Sequence, residues 1–208
     1  MFDLQFITHQ TSRYDTLSGA LLALRGGCRW IQLRMKEASV EEVAKTGRLL
    51  REECRKYGAR LILNDHVKLA AEIGADGVHL GLSDMPVREA RALLGKDYLI
   101  GGTAHSFETV QRHHRDGADY VGIGPFRYTT TKKNLSPVLG QEGYTDILRY
   151  MRASGITLPV VAIGGILCED LPALRRTGIQ GIAVSGALLQ AARPEAETAR
   201  FIRCWKEE

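Results

Sequence analysis

Two carboxylates, Asp65 in Leu63-Asn64-Asp65 and Asp84 in His79-Leu80-Gly81-Leu82-Ser83-Asp84, each follow a short apolar run. A hard divalent ion such as Mg²⁺ takes one or two carboxylates and completes its octahedron with water and substrate phosphate. The pair therefore suits an ion shared with a diphosphate. Upstream, Gln32-Leu33-Arg34-Met35-Lys36 offers one neutral donor and two cations, which alternation sends to one side if the chain stays extended as far as Lys36. Simpler uses compete at each place. Asn64 or Asp65 could cap a helix beginning HVKLAAEIG, Ser83 or Asp84 one beginning PVREARALLG, and the cations could line a solvated strand.

A second group of residues suits a bare phosphate. Thr129-Thr130-Thr131-Lys132-Lys133 supplies three hydroxyls and two ammonium groups inside the longest irregular stretch, with Gly124 and Gly140 leaving room to hinge. This reads as a flexible phosphate-binding loop at about 125–142, with a polar insertion of no function as the competing use. Gly164-Gly165 and Ser185-Gly186 bring backbone amides close to a ligand, since glycine has no Cβ. Gly102-Thr103-Ala104-His105-Ser106 adds a hydroxyl and an imidazole. Ser106 reads as the cap of FETVQRHHRDG, and His105 as a satisfied local hydrogen bond more than a ligand contact.

These groups need a scaffold that aims them at one place. Eight short runs rich in β-branched residues recur between amphipathic stretches: QFIT, RWIQLR, RLILN, GVHLG, LIGGT, YVGIG, PVVAIG and GIAVSG. The stretches between them read as helices. In EEVAKTGRLLREECRKYG, for example, Val43, Ala44, Leu49, Leu50 and Cys54 recur near the helical period. Gly58, Gly74, Gly117 and Gly178 each end a helix just before a strand, where a left-handed cap suits glycine. Strand alternating with helix eight times points to one (β/α)8 TIM barrel spanning residues 1–208, in preference to an open doubly wound sheet. In such barrels the chemistry lies at the carboxyl ends of the strands, where the candidate polar and glycine residues of the first two groups fall.

Composition agrees with a folded domain. The chain is 44% hydrophobic and 25% charged, with a net charge of +4 spread along its helices, so nucleic acid is not an expected partner. No apolar run is long enough to span a membrane and the start carries no leader pattern, so the expectation is a soluble, cytoplasmic protein. Cys28, Cys54, Cys168 and Cys204 form no C-x-x-C pair and read as reduced, mostly buried thiols. Oligomeric state is left open.

The elements QLRMK, LILNDHVKLAAEIGADGVHLGLSD, IGGTAHS, DYVGIGPFRYTTTK, PVVAIGGI and GIAVSGA, in this order across nearly the whole chain, resemble the thiamine phosphate synthase family, barrels related to the thiazole tautomerases. That resemblance implies condensation of 4-amino-5-hydroxymethyl-2-methylpyrimidine diphosphate with thiazole ethyl phosphate, releasing pyrophosphate and requiring Mg²⁺. Carried over by position, it implies that Gln32, Arg34, Lys36, Asn64, Thr103 and Lys132 meet the pyrimidine diphosphate, with Arg34, Lys36 and Lys132 catalytic. It further implies that Asp65 and Asp84 hold Mg²⁺, and that Thr129, Thr131, Gly165, Val184 and Ser185 bind the thiazole phosphate. The chain departs from the family at Met35, where an acidic residue is usual, at Thr103, usually serine, and at Arg127-Tyr128, usually an apolar residue and proline. The rival readings are a thiazole tautomerase-like isomerase, with His105 as proton shuttle and no metal-bound diphosphate, and a silent phosphate-ligand binding protein.

Overall fold

The structure, a computed structural model, describes residues 2–129 and 136–206. Eight strands close into a ring in chain order, every neighbouring pair parallel, with β1 (Leu4–Ile7) hydrogen-bonded to β8 (Gly181–Val184). The others are β2 (Trp30–Leu33), β3 (Arg60–Asn64), β4 (Gly77–Leu80), β5 (Leu99–Ala104), β6 (Tyr120–Ile123) and β7 (Val160–Ile163). Helices α1 (Thr16–Arg25), α2 (Val40–Lys56), α3 (Val67–Ile73), α4 (Val87–Leu94), α5 (Phe107–Asp116), α6 (Gly140–Ala153) and α7 (Leu171–Thr177) each follow one strand. A short α8 (Gly186–Leu189) and α9 (Pro194–Lys206) follow β8. The expected (β/α)8 barrel is the fold observed.

Alternation along the strands divides the apolar side chains into two layers. One set packs outward between strands and helices. A smaller set, Ile7, Trp30, Ile62, Tyr120, Val161 and Ala183, fills the barrel. Phe2 and Tyr120 each meet Trp30 edge to face and lie tilted against one another at the amino ends of the strands, with ring centroids 5.0–5.7 Å apart, and close that end. Bulky rings fit there because facing strands carry glycine. A Cβ at Gly101 would lie 2.1 Å from Tyr120 Cζ.

Helix ends follow their local chemistry. Ser39 and Glu42 form a reciprocal capping box at the start of α2. Ser106 accepts from the Thr109 amide at the start of α5, as its sequence indicates. Gly58, Gly74, Gly117 and Gly178 all have positive φ where their helices end. Leu49 departs from expectation: it is half exposed, and Gly47 takes the inward position, where a side chain would strike Ile73 Cδ1 at 2.7 Å. Cys28, Cys54 and Cys168 are buried, and burial lifts the Cys28 thiol to about 11 and the Cys54 thiol to about 12. Among the described residues no helix is long and apolar enough to cross a membrane.

Candidate active site

The rim at the carboxyl ends of the strands gathers most of the described polar residues singled out in the sequence. Strand β2 ends at Leu33, and the chain turns at once, with the Ala38 amide donating to the Met35 carbonyl. The extended run to Lys36 therefore does not occur. Met35 packs against the core, which accounts for an apolar residue there. Thr8, at the end of β1, holds the turn by accepting from the Arg34 amide at 2.9 Å. From this turn Lys36 reaches β3, and its Nζ contacts Asp65 Oδ2 directly and lies 3.9 Å from Asp84 Oδ1.

Asp65 and Asp84 thus share one place. The two carboxyl groups lie close enough for each to shift the other's pKa, and Asp84 Oδ2 accepts from the Gly81 amide at 2.6 Å. Asp65 has φ +69°, the left-handed region that a non-glycine side chain seldom adopts. Burial, with the Asp84 carboxyl beside it, pushes Asp65 above the usual carboxylate range against the pull of Lys36. For Asp84, burial acts in the raising direction too. The hydrogen bonds from Asp65 and the Gly81 amide, with the Lys36 charge, outweigh it and hold Asp84 low. Two carboxylates in contact carry one proton or one cation between them. Neither residue caps a helix: the N-cap of α3 is His66 and that of α4 is Pro86, both without a side-chain cap bond.

Those observations allow a test of the metal. Asp65 Oδ1 is buried with no hydrogen-bond partner, and an orphaned carboxylate oxygen in a pair already bridged by an ammonium group suits a cation. Among the described residues no cluster of three or more His, Cys, Asp or Glu is placed to hold a metal. That pattern suits an ion completed by substrate oxygens and water better than a closed protein cage. The donor set fits Mg²⁺.

Around this pair, Asn64 stands at the end of β3, in register with His79 of β4. Gln32 is buried inside the barrel and donates to Gln5 Oε1 at 3.0 Å. Among the described residues no carboxylate pairs with the Arg34 guanidinium. Thr103 is bonded twice over: its side-chain oxygen lies 3.1 Å from His79 Nε2, and its carbonyl accepts from His113 Nε2 at 2.8 Å. His105 departs from the expected local hydrogen bond, because its Nδ1 is buried without a partner.

Across the rim lies the second group. Gly164 and Gly165 both have positive φ, and a Cβ on Gly165 would come within 2.9 Å of the Tyr128 carbonyl oxygen. The loop after β6 therefore lies directly over Gly165, which brings Thr129 to this side. Arg127 fastens it there, donating to the Gly165 carbonyl at 2.7 Å and forming a two-pronged pair with Asp170 at 2.8 and 2.9 Å. The loop's other end is pinned where the Leu139 amide donates to the Pro125 carbonyl, and α6 begins at Gly140. Thr131 and Lys132 lie outside the described residues. Val184 packs in the outer layer, so only its main chain is available to a ligand. Ser185 donates its hydroxyl hydrogen to the Ile7 carbonyl at 2.6 Å and bonds to His9 Nδ1 at 2.7 Å, so its side chain is engaged within the fold and its main chain is what it offers at the rim.

His9 is a site neighbour that sequence reasoning missed. Burial and then the Arg34 charge hold its imidazole below the ordinary histidine value. The available signal was its position two residues beyond β1, at the same rim as every other candidate.

A family model described as thiamine monophosphate synthase matches residues 4–188. A thiamine-phosphate synthase of Bacteroides fragilis is 61% identical over 202 residues, covering 97% of this chain and 99% of that one. One of Bacteroides thetaiotaomicron is 59% identical over 202 residues, with 97% of each chain covered. Among solved structures, a thiamine phosphate pyrophosphorylase from Pyrococcus furiosus has a TM-score of 0.86 at 32% identity, covering 99% of this chain and 96% of its own. With a matched barrel and these relatives along nearly its whole length, the chain belongs to the thiamine monophosphate synthase family.

Proposed function

We propose that this enzyme joins 4-amino-5-hydroxymethyl-2-methylpyrimidine diphosphate to thiazole ethyl phosphate, giving thiamine phosphate and pyrophosphate. The observation that carries the reading is the pair of carboxylates, Asp65 and Asp84, that Lys36 bridges at the carboxyl end of a closed barrel. Such a cluster recognises a polyanion that brings its own cation. Asp65 and Asp84 would hold Mg²⁺, which when bound supplies charge neutralisation to the leaving diphosphate.

The remaining work belongs to the side chains. The methylene C–O bond of the pyrimidine breaks with its electron pair leaving on the diphosphate, the aminopyrimidine stabilises the cation left behind, and the thiazole nitrogen forms the new C–N bond. No strong base is required. Arg34 and Lys36 stabilise the leaving oxygens, joined by Lys132. Gln32 and Asn64 orient the pyrimidine ring. Thr103 donates to a diphosphate oxygen. Main-chain groups at Gly165, Val184 and Ser185, with Thr129 and Thr131, hold the thiazole phosphate so that its nitrogen faces the methylene carbon. The loop over Gly165 limits access of water, the competing nucleophile. We place the activity in the cytoplasm, where charged phosphate esters are retained.

The test is direct. The purified protein is incubated with both substrates and Mg²⁺, and the product is oxidised to fluorescent thiochrome. Fluorescence that depends on both substrates is expected. An isomerase or a silent binder gives none, and that result would sink the proposal.

A further inference from the structure

Four polar side chains inside the barrel, Gln5, Gln32, His79 and Tyr120, are all buried, and they form one connected chain. Gln32 Nε2 donates to Gln5 Oε1 at 3.0 Å, and Gln5 Nε2 makes a longer bond of 3.4 Å to the Tyr120 hydroxyl. That hydroxyl lies 3.1 Å from His79 Nδ1, and His79 Nε2 lies 3.1 Å from Thr103 Oγ1. The chain starts at Gln32 on β2 and ends at Thr103 on β5.

Each group's chemistry sets the direction of these bonds. An amide nitrogen only donates, so the Tyr120 oxygen accepts from Gln5 and spends its own hydrogen on His79 Nδ1. A neutral imidazole that accepts at Nδ1 carries its hydrogen on Nε2, and so donates to Thr103. The Thr103 oxygen has then accepted a bond and keeps its hydrogen for something beyond the chain. With the other tautomer, His79 Nε2 would take that hydrogen, and Thr103 would present only lone pairs to an oxyanion.

We infer that Tyr120 and His79 are positioning residues, which fix the Thr103 hydroxyl as a hydrogen-bond donor toward the leaving diphosphate. The inference rests on the condensation proposed above, because it requires an anionic oxygen at Thr103. Room for the chain is built into the strands. Besides the space at Gly101 for the Tyr120 ring, a Cβ on Gly122 would stand 3.0 Å from His79 Cε1.

Tyr120→Phe removes a single oxygen and leaves the ring against Phe2 and Trp30. Long-range ¹⁵N–¹H spectra of His79 are expected to show the Nε2–H tautomer in the wild type and its loss in Tyr120→Phe. In the thiochrome assay kcat should fall about tenfold in Tyr120→Phe, with both KM values within about twofold. Thr103→Val should lose a similar factor, and the double variant should be no slower than Thr103→Val alone, because Tyr120 acts only through that hydroxyl. His79→Gln, whose amide nitrogen replaces Nε2–H, should retain more activity than His79→Leu. This comparison decides the matter if Tyr120→Phe fails to fold. An Nδ1–H tautomer in the wild type, additive losses in the double variant, or equal activity of the two His79 variants would each overturn the inference. The tautomer spectrum needs no substrate, so it is read separately from a wild type that yields no thiochrome.

Discussion

Asp65 is the one described non-glycine residue with positive φ, and this conformation is what turns its carboxyl toward Asp84. Holding a β-carbon there costs about 1 kcal/mol, and two carboxylates in contact add repulsion. A residue kept at such expense is kept for chemistry rather than for stability. Asp65→Asn tolerates the same backbone and should fold normally while losing about 100-fold or more in kcat by thiochrome assay. Asp65→Gly should be equally inactive yet at least as stable as wild type in urea denaturation, since glycine adopts this φ without strain. A large loss of stability would show that the carboxyl supports the fold instead. The carboxylates were visible in the sequence as acids following apolar runs. The Gln5–Tyr120–His79 chain was not, because a polar residue at an inward strand position reads like any other alternating polar residue until register sets it against its partners.

At the level of elements, the decisive attachment is Arg127, which ties the β6 loop to Gly165 and to Asp170, 43 positions away. Sequence marked Arg127-Tyr128 only as a departure from the family, since an ion pair across that separation depends on the β6–β7 register. Arg127→Ala should raise KM for the thiazole phosphate about tenfold and leave that of the pyrimidine diphosphate nearly unchanged. Its Tm should shift little, because the pair is partly exposed. Helix α5 is fixed to β5 by a different device, the His113 ring lying over Gly102 and donating to the Thr103 carbonyl. Burial lowers the His113 pKa, so below about pH 6.5 the unfolded chain binds a proton that the native state resists. The imidazole's stabilisation is therefore fully present above that pH and is lost as pH falls through it. Tm of the wild type relative to His113→Gln should decline between about pH 7.5 and 5.5, and a flat difference would remove His113 as the cause. Helix limits were far more legible than these attachments, because a left-handed glycine such as Gly74 or Gly117 acts within its own turn.

For the whole molecule, closure of β8 onto β1 means that no strand is an edge and that the barrel cannot open at one seam without loss elsewhere. The chain has two tryptophans, Trp30 inside the barrel and Trp205 on α9. Single-tryptophan variants made with phenylalanine should unfold in urea at one midpoint, read by fluorescence. An earlier transition for Trp205 would show the outer helix leaving a barrel still intact. Gly101→Ala, by pressing on Tyr120, should lower stability by about 2 kcal/mol without touching the rim. The barrel itself was legible from eight repeats of one pattern. The inner filling was not, since which rings meet depends on the stagger of the strands. That filling also sets the traffic of molecules. With Phe2, Trp30 and Tyr120 stoppering the floor, the vessel has a single mouth, so whichever substrate seats deeper must arrive first and its remnant must depart last. Steady-state kinetics should accordingly obey a compulsory order.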